Sequence, residues 1–224
     1  PNPLQALLTL AFLVLFLSYR DYPQIIARGA ARERARIAGD RAYIAGDYPA
    51  AEQSYRAALA AQPDFIDAHT SLALALAAAG RSADARAELT PGASRRSDLV
   101  RGALARDAGD LDAARAPLAS AENRAGENIQ RWALNWLRPP ATNFLQLSQG
   151  LDLGYIDGFS GGEDGPAGTF RWLSGSGRVQ LPLTHPLAPG SEVLLRLTSG
   201  RPGPVPLDVW AGDRWLGQVQ VASG

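Results

Sequence analysis

Residues 39–91 read GDRAYIAGDYPAAEQSYRAALAAQPDFIDAHTSLALALAAAGRSADARAELTP, and the fold of the first half of the chain turns on how this stretch divides. Gly46-Asp47-Tyr48 is followed by Ala51, Tyr55, Ala58, Leu59 and Pro63. From Gly46 the same pattern restarts 34 positions on at Gly80, with Ala85 and Leu89 behind it. A period of this size marks a helix pair that cannot bury its apolar face alone and stacks on a copy of itself. Gly39 falls at the close crossing of the first pair, where a side chain would hold the helices apart, and Ala73 takes that place in the second. Gly102, Gly109-Asp110-Leu111, Ala114 and Leu118 mark a third, degenerate copy.

This arrangement of a small residue at the crossing, Gly before the turn, an aromatic after it, then Ala, an aromatic, Ala and a terminating Pro resembles the tetratricopeptide repeat. The resemblance covers roughly Arg32 to Arg124. From Gly80 to Gly109 the spacing is only 29, so the second repeat is expected to be shortened near Thr90-Pro91-Gly92. Pro117 removes a backbone donor and clashes one turn back, which predicts a kinked or abbreviated last helix. The resemblance implies binding of another protein in the concave groove lined by the first helix of each pair. Carried over position by position, that groove presents Glu33, Arg36, Asp40 and Tyr43, then Asp67, Thr70 and Leu74, then Arg96, Leu99 and Arg106. The chaperone-tail version uses asparagines where this chain has Asp40 and Leu74, which argues against that ligand. His69 reads as a core or edge residue. Ile129, Trp132 and Trp136 at helical spacing predict a capping helix from Glu127 to Arg138, ended by Pro139-Pro140.

Ahead of the repeats, Leu4 to Tyr19 carries no charge. Flanked by Tyr19, Tyr22 and Arg20, the run reads as a single transmembrane anchor. The expectation is therefore a single-pass membrane protein in contact with the bilayer through residues 4–19. Arg28, Arg32, Arg34 and Arg36 favour a cytoplasmic body under the positive-inside rule, whereas the C-terminal domain favours an extracytoplasmic one; we expect the latter. Pro1 is not a translated start, so the chain is expected to be processed or truncated at its front.

After Pro140 the texture changes to Gly, Pro and alternating apolar residues, the signature of short antiparallel strands. Seven runs are expected as strands: 144–147, 151–156, 169–173, 177–183, 192–198, 205–211 and 215–221. Together they suggest a jelly-roll-like β-sandwich, unfinished because the chain stops just after an apolar strand; continuation beyond Gly224 is the favoured explanation. GYIDGFSGGEDG, FRWLSGSGRVQLPL and the run from Leu194 to Val221 resemble β-sandwich modules appended to bacterial membrane-bound glycosyltransferases and other cell-envelope proteins. Alternation along Val205 to Ala211 sends Asp208 and Trp210 outward, where a tryptophan beside a carboxylate could hold a sugar ring. Phe170, Trp172 and Trp215 read as core. Asp157, Glu163 and Asp164 are weak calcium candidates, without EF-hand spacing.

The fold expected is thus a multidomain α plus β chain: an anchor over 1–22, a juxtamembrane linker over 23–31, helical repeats over 32–124, a capping helix and linker over 125–142, and a β-sandwich over 143–224. The 22 basic and 22 acidic residues cancel, which removes the general electrostatic case for nucleic acid. With no cysteine, thiolate catalysis and Cys-ligated metals are excluded. There is no P-loop, HExxH or GxSxG, and no cofactor is expected. Two functions remain: a membrane-anchored non-catalytic scaffold or accessory subunit binding protein partners, and the terminal part of a cell-envelope glycosyltransferase or polysaccharide-handling protein whose sandwich binds glycan.

Overall fold

The computed structural model describes residues 2–19, 22–123, 128–147, 150–165, 168–183, 185–186, 188, 190–199 and 202–223. The chain divides into two compact units, Pro1–Thr184 and His185–Gly224.

The first unit is built on helix pairs. Helix α1 spans Pro3–Tyr19, α2 Tyr22–Ile44, α3 Tyr48–Ala61, α4 Ile66–Ala78, α5 Ser82–Ala87, α6 Arg95–Asp107, α7 Leu111–Asn123 and α8 Ile129–Trp136. The pairs α2/α3, α4/α5 and α6/α7 are joined by one turn used three times. Gly46, Gly80 and Gly109 adopt φ of 79°, 80° and 83°, a left-handed conformation that costs a side chain but not glycine. The following N–H groups of Asp47, Arg81 and Asp110 reach back to the carbonyls of Ala42, Leu76 and Ala105 at 2.9, 2.9 and 3.0 Å. Asp47 then caps α3 by accepting the Ala50 N–H at 3.1 Å. The third copy thus uses the same turn as the first two. Helix α5 stops after six residues, where the shortened spacing predicts it. Helix α7 runs through Pro117 to Asn123, so of the two expected outcomes, a kink or an abbreviation, the abbreviation does not occur.

Small residues set the spacing within pairs. A Cβ on Gly39 would lie 2.5 Å from the Tyr55 ring, and one on Gly102 would lie 2.6 Å from Leu118. Around these crossings Tyr55, Leu72, Leu76, Leu99 and Leu118 form a continuous buried core.

The membrane expectation is overturned: among the described residues no helix is long and apolar enough to cross a membrane. Helix α1 has 17 residues, about 25 Å at 1.5 Å per residue, against a hydrocarbon core of roughly 30 Å. Nor do the flanks close the gap. Tyr22 opens α2, which carries Arg28, Arg32, Arg34 and Arg36, and Arg20 lies outside the described residues. Single-pass localisation, bilayer contact through residues 4–19 and an extracytoplasmic body are therefore withdrawn.

The β-sandwich is overturned as well. Beyond α8 the first unit contains β1 Ile156–Asp157, β2 Glu163–Gly165, β3 Gly168–Phe170 and β4 Arg178–Val179, paired antiparallel as β1–β4 and β2–β3. Among its described residues the second unit contains one hairpin, β5 Val205–Ala211 with β6 Arg214–Val221. Of residues 151–156, expected as a strand, 151–155 instead form consecutive turns, with Gly150 and Gly154 at φ 82° and 97°, and only Ile156 enters a strand. The run 192–198 forms no ladder, and Leu194 is 96% exposed. Alternating apolar residues describe one face of a strand, yet a strand persists only where neighbours take up its backbone groups. Trp172 and Trp215, expected in a core, are exposed, and Trp172 meets Phe170 edge-on at 5.2 Å.

An ion cluster helps to hold the segment after α8 to the helices. Arg171 donates from Nε and Nη2 to the two oxygens of Asp152, both at 2.6 Å. It also donates to Glu122 of α7 at 2.5 Å and to the Ser160 carbonyl at 2.6 Å. The side chains of Arg171 and Asp152 are 0% exposed.

Candidate functional site

The first helices α2, α4 and α6 line the concave face, and the chain's own continuation lies across it. Tyr43 of α2 stacks on Trp136 of α8 at 5.7 Å and 20° between planes, and its Oη donates to the Trp136 carbonyl at 2.7 Å. Trp132 stacks on Trp136 at 6.1 Å, while the Arg96 guanidinium of α6 lies over the Trp132 ring at 5.3 Å. Past α8, Leu137, Arg138 and Pro140 run beside Leu74, Val100 and Ala103 around a small cavity of about 270 Å³. On its other side α8 is bound by Gln130, which exchanges two hydrogen bonds with the Phe159 backbone at 2.9 and 3.0 Å. The tryptophans expected to close the end of the stack thus fill its groove instead.

This filling decides the fate of each predicted groove residue. Tyr43, Thr70, Leu74 and Leu99 are buried. Thr70 Oγ1 donates to the Ile66 carbonyl at 2.9 Å. Arg106 donates to the carbonyls of Leu151 and Leu153 at 3.0 and 2.6 Å and lies over Tyr155. Asp40 accepts the Tyr55 phenol at 2.9 Å and an ion pair from Arg36. His69 bridges Glu88 and the Pro63 carbonyl, both at 2.8 Å.

Glu33, Arg36, Asp67 and Arg96 come together at an open mouth of about 650 Å³. Arg32 and Phe65 join them from the solenoid, and Asn128, Arg131, Trp132, Asn135 and Trp136 close the far wall from α8. The contribution of α8 could not be assigned from the repeat pattern; the tryptophan pair at helical spacing was its only signal. Arg36 donates to Glu33 at 2.5 Å, a bond that holds the Glu33 carboxyl below its usual range. The same bond raises Arg36 against the opposing effect of burial. Arg32 lies over the Phe65 ring at 4.3 Å and donates to Gln62, while its buried Nε has no hydrogen-bond partner among the described residues.

Burial lifts the Tyr43 phenol to about 12, and burial followed by the Asp40 charge raises Tyr55 further. An acid whose folded value is raised lends stability below its unfolded value, near 10, which is lost as pH climbs through the folded one. We therefore expect the urea midpoint to hold to about pH 10 and to fall by pH 12, by on the order of 2 kcal/mol for Tyr43. In Tyr43→Phe the neutral-pH midpoint should drop by about 1 kcal/mol through loss of the Trp136 bond, while the alkaline fall becomes shallower. An equally steep fall would show that Tyr43 is not its source.

In the second unit Trp210 is 59% exposed and faces its register partner Trp215, and Asp208 accepts from Gln218 at 3.2 Å. Asp157 is engaged by Asn128 and Arg131, and Glu163 by the Trp172 indole. No three His, Asp or Glu side chains are grouped to hold a metal among the described residues.

No curated protein and no solved structure matches the chain. Its residues 42–106, from the end of α2 through α6, match the tetratricopeptide repeat family, a module that suggests a protein-interaction scaffold.

Proposed function

We propose that the chain is a non-catalytic scaffold that holds a segment of a partner protein at the mouth bounded by α2, α4, α6 and α8. The observation that carries this reading is the open cavity of about 650 Å³, where Trp132, Trp136 and Phe65 stand beside arginine side chains. Aromatic and arginine side chains supply much of the energy at protein interfaces, because they bury large areas and also make directed bonds. With its deeper part filled by Trp136 and Leu137, the groove leaves room for a segment at the rim rather than for a helix laid along its length. A photoreactive side chain placed at Asn135, on the mouth, is expected to give a discrete protein adduct in the native source cells. The same group at Gln53, exposed on α3, is expected to give none. Absence of an adduct from Asn135, or equal adducts from both positions, would remove the mouth as the docking site.

A further inference from the structure

We infer that α1 is an assembly helix: more than two copies of this chain join through it, with Leu7, Leu10 and Val14 at the centre of a bundle of identical helices. Each of residues 2–16 is exposed, and nine of them are Leu, Val or Phe, between 45 and 70% exposed. Contiguous apolar surface above a few hundred Å² marks a place where another molecule binds. A helix about 25 Å long and about 10 Å across has a side wall of roughly 800 Å², and that of α1 is apolar over most of its circumference.

The polar residues show which side faces out. Asn2, Gln5 and Thr9 follow one another at three and four positions and share one stripe, which Phe12 and Phe16 continue. That stripe is already provided for within the chain. Thr9 Oγ1 donates to the Gln5 carbonyl at 2.8 Å, and Phe12 stacks on Phe16 at 6.1 Å, itself 6.1 Å from the Tyr22 ring at the start of α2. On the far side Leu7, Leu10 and Val14 recur with the same spacing, the pattern of a seam between helices. Area then decides the number of copies. Two such helices side by side hide about a third of each wall, roughly 500–600 Å² in all, well short of the about 1,200 Å² of a stable interface. They would also leave Leu8, Leu13 and Leu15 on the flanks uncovered. In a closed ring every helix has a neighbour on both flanks, which doubles the area each one buries. No residue of α1 is charged, so identical copies meet without repulsion, and nothing on the seam turns them away in favour of a different chain.

Sedimentation velocity of the full chain at about 10 μM should give a mass at least about three times that of one copy. Leu7→Glu with Val14→Glu should return it to a single copy while the thermal midpoint of the helix pairs stays where it is, because both side chains are exposed. The chain has no cysteine, so a single introduced thiol reports on its own surroundings. Leu10→Cys lies at the middle of the seam and should cross-link copy to copy under mild oxidation whether the helices run parallel or antiparallel. Thr9→Cys, on the outward stripe, should not. A parent chain that sediments as one copy or as a dimer, or that phosphatidylcholine vesicles carry upward in a flotation gradient as one copy, would overturn the inference. So would an assembly that survives the two glutamates, or equal cross-linking from positions 9 and 10.

Discussion

Replacing Arg171 with alanine is expected to cost about 3–5 kcal/mol of unfolding free energy, enough to leave the first unit marginal. Asp152 and Glu122 approach one another only because this guanidinium lies between them, bonded to both oxygens of Asp152 at 2.6 Å. Removing it leaves a fully buried carboxylate beside a nearly buried one in a cavity the size of an arginine side chain. Such a loss exceeds the net worth of the ion pair, since it is mostly the penalty of burying charge without its counter-charge. The triple replacement Arg171→Met, Asp152→Leu, Glu122→Met should therefore recover most of the stability that the single change removes. Urea denaturation of the three proteins decides the matter, and limited proteolysis should cut residues 150–173 first in the single variant. A cost below about 1 kcal/mol would mean that water reaches the pair.

That ion cluster also shows where sequence reasoning stops. In the sequence Arg171 is one position of the run 169–173, expected as a strand, and nothing in the pattern sets it apart. Its partners lie 49 and 19 positions away, at Glu122 and Asp152, with no period to link them. The helix pairs were legible for the opposite reason: crossing residues and turn glycines recur because each pair solves the same local packing problem, and Gly39, Gly46, Gly80 and Gly102 do what their spacing implied. The limits of α1 were legible within one residue; its role was not, because apolarity fixes that a segment avoids water but not that it spans a bilayer. For α8, the spacing of Trp132 and Trp136 gave a helix with an apolar face. Which surface receives that face depends on the chain folding back over α2, a contact between residues 93 positions apart. The expected strands failed where alternation was read without partners. The runs 205–211 and 215–221, joined by the tight turn at Gly212, did pair with each other, in a ladder whose register shifts between Val209 and Trp210.

Gly39→Leu should destabilise the first unit by more than about 3 kcal/mol, and the same helix contains its own control. At Gly39 the added Cβ alone falls 2.5, 2.6 and 2.9 Å from three atoms of the Tyr55 ring. That ring is fully buried, and its hydroxyl is bonded to Asp40, so it cannot swing aside without leaving a buried phenol and a carboxylate unsatisfied. At Gly29, also inside α2, nothing lies within 4 Å of the Cβ. There Gly29→Ala should stabilise by about 0.5–1 kcal/mol, because alanine orders a helix at lower entropic cost than glycine. Gly39→Ala gains the same propensity yet meets the ring, so its net effect should be a loss of about 1–2 kcal/mol. Opposite signs for one chemical change in one helix isolate the contact from the backbone effect, and thermal and urea midpoints of the three variants read it directly. Equal signs for the two alanine variants would show that α2 and α3 do not approach as closely as these distances state. The consequence reaches the mouth as well: spreading this pair shifts Arg32 and Arg36, carried on α2, relative to Arg96 on α6. The milder Gly39→Ala variant, still folded, should therefore give a weaker adduct from the photoreactive group at Asn135, while Gly29→Ala gives the adduct that the parent does.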